Sequence, residues 1–261
     1  MELLKNNTKI ESNFNNISSK NQDKIKKNYI KSYGILCFNK INNELKCLLV
    51  KRKYTYAFFH FVMCNYVFTK KNIIKLLNNI TIDEKRLIIE FDFDKLWNKL
   101  WFEKSSFNNI IYSKTKKLYQ LNILNNKKQI ISEINNSKNL KDAEANIWTI
   151  PKGRKNKVNE NKLLVAIREF NEETSFVKND YYLNFNFKKN YILDNKYKII
   201  YYIAIYKNNM KINIDYTNIN LLNEVNGINW FSLNEIKTEC NYLYNNIKPA
   251  FTYVKHNDLI L

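Results

Sequence analysis

Only three glycines and two prolines occur in this chain of 261 residues, so few positions are marked for unusual backbone geometry. Glycine is the usual residue where the chain is strained or closely approached, and proline where a turn is rigid. The glycines are Gly34, Gly153 and Gly227, and the prolines Pro151 and Pro249. Two of these five stand together in Ile150-Pro151-Lys152-Gly153. That local concentration predicts a turn with special backbone demands.

Hydrophobic periodicity organises the rest. Ser32–Asn39 and Leu45–Lys53 read as strands around an Asn42-Asn43-Glu44 turn, a β-hairpin. Helical spacing follows in 70–80, in 83–104 and in 126–146. The pattern returns to strand at 147–153 and becomes a strong amphipathic helix over 160–174. Residues 197–207 read as a buried strand and 227–233 as a short one. A terminal helix runs from Asn234, with a kink or interruption expected at Pro249. The fold class is therefore α/β, with a mixed core split by a helical insertion. The boundaries are 1–31 for a flexible basic lead-in, 32–53 and 146–261 for the two parts of the core, and 54–145 for the insertion.

Composition excludes several classes. No stretch approaches the roughly 20 apolar residues of a membrane helix, and the first 31 residues contain no apolar signal core. Cys37, Cys47, Cys64 and Cys240 lack CxxC pairing, which argues against a zinc cage or a disulfide framework and for a reducing compartment. His60 and His256 have no evident partners in sequence and read as structural or surface residues. The formal net charge of +19 suggests a polyanion partner. Abundant Lys, Asn, Ile and Tyr also fit an AT-rich coding sequence, which raises lysine without any functional reason.

Against that charge, Arg168-Glu169-Phe170-Asn171-Glu172-Glu173-Thr174 concentrates carboxylates. On a helix, Leu163, Ile167, Phe170 and Thr174 fall along one side with Ala166, to pack on a sheet. Glu169, Glu172 and Glu173 share another face, with Val165 one turn earlier. Glu160 falls at the helix start, where the dipole favours an anion. Like charges at this spacing oppose helix formation by roughly a few tenths of a kcal/mol per pair. Two readings are open: a solvated acidic face, or a site for a dication such as Mg²⁺ or Mn²⁺, which prefer hard oxygen ligands. Arg168, one of four arginines, is placed to brace a neighbouring carboxylate.

Residues 153–176 resemble the Nudix box, G-x5-E-x7-R-E-U-x-E-E-x-G-U with U apolar. Glu160, Arg168, Glu169, Phe170, Glu172, Glu173 and Phe176 occupy their places. Two departures stand out. Six residues separate Gly153 from Glu160 where the pattern has five, and Ser175 replaces the late glycine, which suggests another path out of the helix. The Pro-Lys-Gly turn before the box, and Glu224 six residues before Trp230, are similar to the decapping branch of the superfamily. The layout beyond residue 31 resembles the decapping Nudix hydrolases of large cytoplasmic DNA viruses, the African swine fever virus type among them. The composition suits a giant virus of the mimivirus type.

The resemblance implies an α/β/α sandwich with a mixed sheet and an inserted helical domain. It implies hydrolysis of capped mRNA to 7-methyl-GDP and 5′-monophosphate RNA, with Mg²⁺ or Mn²⁺ as cofactor. Glu169, Glu172 and Glu173 would be metal ligands, joined by the Gly153 carbonyl, and Glu224 the general base. Lys152 and Arg154 are candidates for phosphate or RNA contact. Lys95, Lys99 and Lys104 on the insertion are candidates for the RNA body, while Trp97 and Trp101 among them read as core or dimer contact. A homodimer through the insertion is a further expectation, with residence in the host cytoplasm, the viral factory and the virion. The rival readings are a diphosphoinositol polyphosphate phosphohydrolase and a non-catalytic RNA-binding Nudix module.

Overall fold

The computed structural model describes residues 29–101, 109–141, 145, 147–193, 197–207, 221 and 224–259. Residues 1–28, and with them nearly all of the expected lead-in, lie outside the described residues. The first strand, β1, spans Ile30–Ile41 and so begins two residues before the predicted boundary at Ser32.

β1 turns into β2 (Glu44–Arg52) through Asn42 and Asn43, at φ 51° and 62°. Positive φ at both central residues is the hairpin turn that follows the natural strand twist, and asparagine tolerates it better than most side chains. The sheet continues with β3 (Trp148–Thr149), β4 (Lys152–Gly153), β5 (Tyr181–Leu193), β6 (Tyr197–Tyr206) and β7 (Val225–Ser232). The strand order is β3-β2-β1-β6-β5, with β4 also on β1 and β7 also on β2. β1 and β6 are parallel and the other pairs antiparallel, so the sheet is mixed.

The strand period of two sorts β1 onto both faces. Leu36 and Phe38 point to one side, where Ile203, Phe231, Ile247, Phe251 and Val254 complete a core. Tyr33, Ile35 and Cys37 point to the other, against Val165, Ala166 and Phe170 of the helix Lys162–Thr174. The helices Leu233–Glu239 and Asn241–His256 therefore cover one face and the helix Lys162–Thr174 the other, giving three layers. Each fully buried Leu, Ile or Phe stabilises this arrangement by roughly 1.5–3 kcal/mol.

Between β1 and β2, away from their turn, the segment Ile150-Pro151 enters as a wedge. β3 pairs with β2 at Val50–Thr149, β4 pairs with β1 at Tyr33–Gly153, and the Ile35 N–H donates to the Pro151 carbonyl at 3.2 Å. A Cβ on Gly34 would strike that carbonyl and the Lys152 side chain, so glycine is what admits the wedge.

A second core lies in the segment between β2 and β3. Phe58, Phe61, Leu77, Ile88, Leu96, Trp97, Tyr119, Ile123 and Ile130 are all buried there. They come from the helices Tyr56–Val62, Lys70–Leu77, Ile82–Glu90, Phe93–Leu100, Asn109–Tyr119 (continued by a π-helical turn to Leu124) and Lys127–Asn136. Buried Glu84 ties two of them together, its carboxylate accepting from the Thr55 N–H, the Thr55 hydroxyl and the Thr81 N–H at 2.6, 2.8 and 2.9 Å.

Several local expectations need correction. The pattern over 83–104 breaks at Phe91, because the Asp92 side chain caps a new helix by accepting from the Lys95 N–H. The terminal helix runs unbroken through Pro249 and breaks at Cys240 instead. Strand β5 escaped the sequence reading: its Asn and Lys residues dilute the alternation, and as an edge strand it leaves Tyr182, Phe185 and Ile192 exposed.

Candidate active site

Asn161 caps the helix Lys162–Thr174, accepting from the Leu163 and Leu164 N–H groups at 2.9 and 3.4 Å. Glu160 therefore stands before the helix, not in its first turn, and accepts from the Asn156 N–H at 2.7 Å. Val165, placed by the sequence on the carboxylate side, is fully buried with Ala166 and Phe170. The buried face is thus rotated toward Val165. At the far end Ser175 adopts the left-handed conformation itself, at φ 60°, so the exit takes the path a glycine would take.

Arg168 organises this helix. Its guanidinium donates to Glu160 at 3.1 Å, to Glu169 at 2.8 Å, to Glu172 at 3.1 Å and to the Arg154 carbonyl at 2.8 Å. One cation thereby fastens two of the three clustered carboxylates and the loop that leads to the helix. Glu173 turns the other way and accepts from the Lys152 N–H at 3.0 Å.

Gly153 is needed for space. Among the described residues no glycine has positive φ, so the predicted backbone demand takes another form. A Cβ on Gly153 would fall within the Glu169 carboxyl group. The bare backbone of β4 thus admits a carboxylate from the helix.

Of the three clustered glutamates, Glu173 lines a cleft of about 350 Å³, and Glu169 and Glu172 do not. Lys152, Gly153, Arg154, Glu173 and Glu224 lie on the sheet side, and Tyr56, Phe59, His60 and Trp101 come from the segment between β2 and β3. Glu224 directly precedes β7, with its carbonyl accepting from the Lys53 N–H at 2.9 Å. The structure thus brings Glu224 to Glu173 across fifty residues of sequence.

Burial pushes the Glu173 carboxyl up to about 8, with Lys152 opposing and Glu224 and Glu169 reinforcing the rise. Glu169 is raised by desolvation, against the pull of Arg168 and with Glu172 and Glu224 adding to it. Glu224 is raised by desolvation, with Arg52 lowering and Glu172 raising it further. Carboxyls held near enough to raise one another suit a hard divalent cation, which prefers oxygen donors. The donor set fits such an ion by its chemistry. Among the described residues no three acidic, His or Cys side chains already converge as a cage, since Glu169 and Glu172 face Arg168 and Glu173 faces the Lys152 amide.

Lys95 and Lys99 are not among the residues that line the cleft. Lys95 is exposed and Lys99 half-buried on the helix Phe93–Leu100, their ammonium groups 6.0 and 5.2 Å from the Phe91 ring. Lys104 lies outside the described residues. Trp97 is core, as expected, whereas Trp101 lines the cleft. His60 also lines it, which its sequence neighbours did not signal. Arg52 and Tyr56 were missed, although one signal was present: in a chain so rich in lysine, four positions keep arginine. Three of them, Arg52, Arg154 and Arg168, lie at this site.

No protein-family model matches the chain. Among curated proteins it is similar to mRNA-decapping protein g5R of African swine fever virus, isolate Pig/Kenya/KEN-50/1950, with 32% identity over 234 residues. That match covers 84% of this chain and 92% of the relative. The chain belongs to the viral mRNA-decapping branch of the Nudix hydrolases. The g5R protein of strain Badajoz 1971 Vero-adapted agrees, at 33% identity over 84% of this chain and 90% of its own length. Among solved structures, a Caenorhabditis elegans Ap4A hydrolase binary complex is similar over 86% of this chain and 98% of its own, at 10% identity and a TM-score of 0.44. That distant likeness carries no detail of the site. The mixed sheet that the sequence resemblance implied is present, and among the described residues no helix is long and apolar enough to cross a membrane.

Proposed function

We propose that this chain hydrolyses the cap of mRNA, releasing 7-methyl-GDP and RNA with a 5′-monophosphate. The observation that carries the reading is a single cleft in a member of this family, with Glu173 and Glu224 on one side and aromatic residues on the other. Glu169, Glu172 and Glu173 would hold Mg²⁺ or Mn²⁺, with the Gly153 carbonyl beside them. When bound, such an ion supplies positive charge against the phosphates and lowers the pKa of water.

The chain's own groups supply the rest. Glu224, raised in proton affinity, takes the proton of the attacking water. Lys152 and Arg154 hold the phosphate chain, and Arg168 keeps the acidic side chains in register. Lys95, Lys99 and Lys104 hold the RNA body, consistent with a net charge of +19. The division into core parts 32–53 and 146–261 around an insertion 54–145 belongs to the same reading, supported by the separate core of the insertion. So does a homodimer through the insertion, which exposes Ile110 and Leu121. Residence in the host cytoplasm, the viral factory and the virion completes it.

A phosphohydrolase of diphosphoinositol polyphosphates is the second reading, favoured by Arg52, Lys53, Lys152 and Arg154 around the cleft. Cap release from long and short RNA, with and without divalent metal, decides between them when run beside an inositol pyrophosphate. Metal-dependent cap release that rises with RNA length supports decapping. Turnover confined to the inositol substrate overturns it, and RNA retention without any turnover makes the chain a binding module.

A further inference from the structure

Tyr56 is the first residue of the helix Tyr56–Val62, at the point where the segment after β2 crosses the cleft. It is 52% exposed and lines the cleft. The Arg52 guanidinium lies over its ring, 3.3 Å from the centroid, and is kept flat by a bond from its Nε to the Tyr54 carbonyl at 3.3 Å. The Tyr56 ring lines the cleft beside Lys152, whose ammonium charge acts on the phenol. That same ammonium donates to the Thr149 hydroxyl at 2.7 Å, while the Lys152 main-chain N–H donates to Glu173 at 3.0 Å.

The direction of these bonds matters. A lysine ammonium only donates, and a phenol carries one O–H of its own to donate. Lys152 keeps two further protons after Thr149. Two donors thereby stand in the cleft with Glu173, with a planar cation behind the ring. Such an arrangement suits a phosphate oxygen that would otherwise face the carboxylates without a counter-charge.

We infer that the Tyr56 hydroxyl, its ring set by Arg52 and its place beside Lys152, is a positioning donor for a phosphate oxygen of the substrate, so that the segment between β2 and β3 completes the hydrolytic site. This deepens the phosphoanhydride reading and rests on it. Lys152 first, and Arg52 with it, also hold the phenol below its usual pKa against the opposing effect of burial, which makes it a better donor to an anion.

The test uses the full chain in chelator, with inorganic pyrophosphate as the probe and calorimetry as the readout, followed by kcat and KM for capped RNA with metal restored. Tyr56→Phe keeps the ring beneath Arg52 and removes only the hydroxyl. It should weaken pyrophosphate binding and lower kcat/KM each by about 10- to 100-fold, the range of a hydrogen bond to a charged group, at unchanged Tm. Tyr56→Ala should do no less, whereas a purely structural role predicts that Phe behaves as wild type. Wild-type pyrophosphate affinity in Tyr56→Phe, or no pyrophosphate binding by the wild-type chain, overturns the inference. If pyrophosphate binding depends on the hydroxyl but the wild-type chain releases no cap, the anion seat stands and the decapping reading falls.

Discussion

Glu173 shows how one residue links stability to chemistry. Its carboxyl titrates near 8 in the folded chain, against 4.5 for an unperturbed glutamate. Between those values the folded, metal-free chain holds a proton that the unfolded chain releases. Stability should therefore fall as pH rises through that window, and level off above it. Urea unfolding in chelator at pH 5, 6.5 and 8 should show the decline, and Glu173→Gln should flatten it; equal slopes in both proteins would refute the assignment. With metal present, Glu173→Gln should nearly abolish turnover while leaving RNA retention intact, as a cap-release assay beside a filter-binding assay would show. Gly153→Ala is the complementary test. Its new methyl falls on the Glu169 carboxyl, so kcat should drop about 100-fold, as expected for a misplaced reacting geometry, with the fold preserved by circular dichroism.

At the scale of elements, the caps decide where helices start and what they present. Asp92, Asn161 and Ser232 each accept from main-chain N–H groups of the helix that follows. Glu84 works across elements, joining the start of the helix Tyr56–Val62 to the start of Ile82–Glu90. Replacing it with alanine strands buried donors and should lower stability by roughly 3 kcal/mol in chemical denaturation. Because the same helix start carries Tyr56, kcat/KM should fall in the folded fraction too. Retention of full stability would show that water or a neighbour replaces the carboxylate. The capping side chains are readable in sequence, but their partners in other elements are not: Thr55 and Glu84 are joined only by the packing of the helices that hold them.

At the scale of the whole molecule, a net charge of +19 coexists with an acidic site. Glu173 and Glu224 line the cleft, while Lys95 and Lys99 stand on the helix Phe93–Leu100 and do not line it. Changing Lys95, Lys99 and Lys104 together to glutamine should weaken RNA binding and reduce the slope of log K against log salt by about 2, since each phosphate contact on single-stranded RNA contributes about 0.7. An unchanged slope would move the RNA surface elsewhere on the molecule.

What the sequence by itself determined is local and periodic: the β1–β2 hairpin, the amphipathic helix with its glutamate trio, the special character of Ile150–Gly153, and a separate helical segment. Those signals are carried by neighbours within a turn or two of one another, where spacing alone dictates which side chains share a face. Tertiary structure decided the rest. It made Gly153 a matter of room for Glu169, brought Glu224 and Tyr56 to the same cleft, and turned Arg168 onto two glutamates and a loop. These contacts join residues far apart in the chain, and they exist only because the wedge between β1 and β2 and the packing of the helix Lys162–Thr174 on the sheet hold both partners in place.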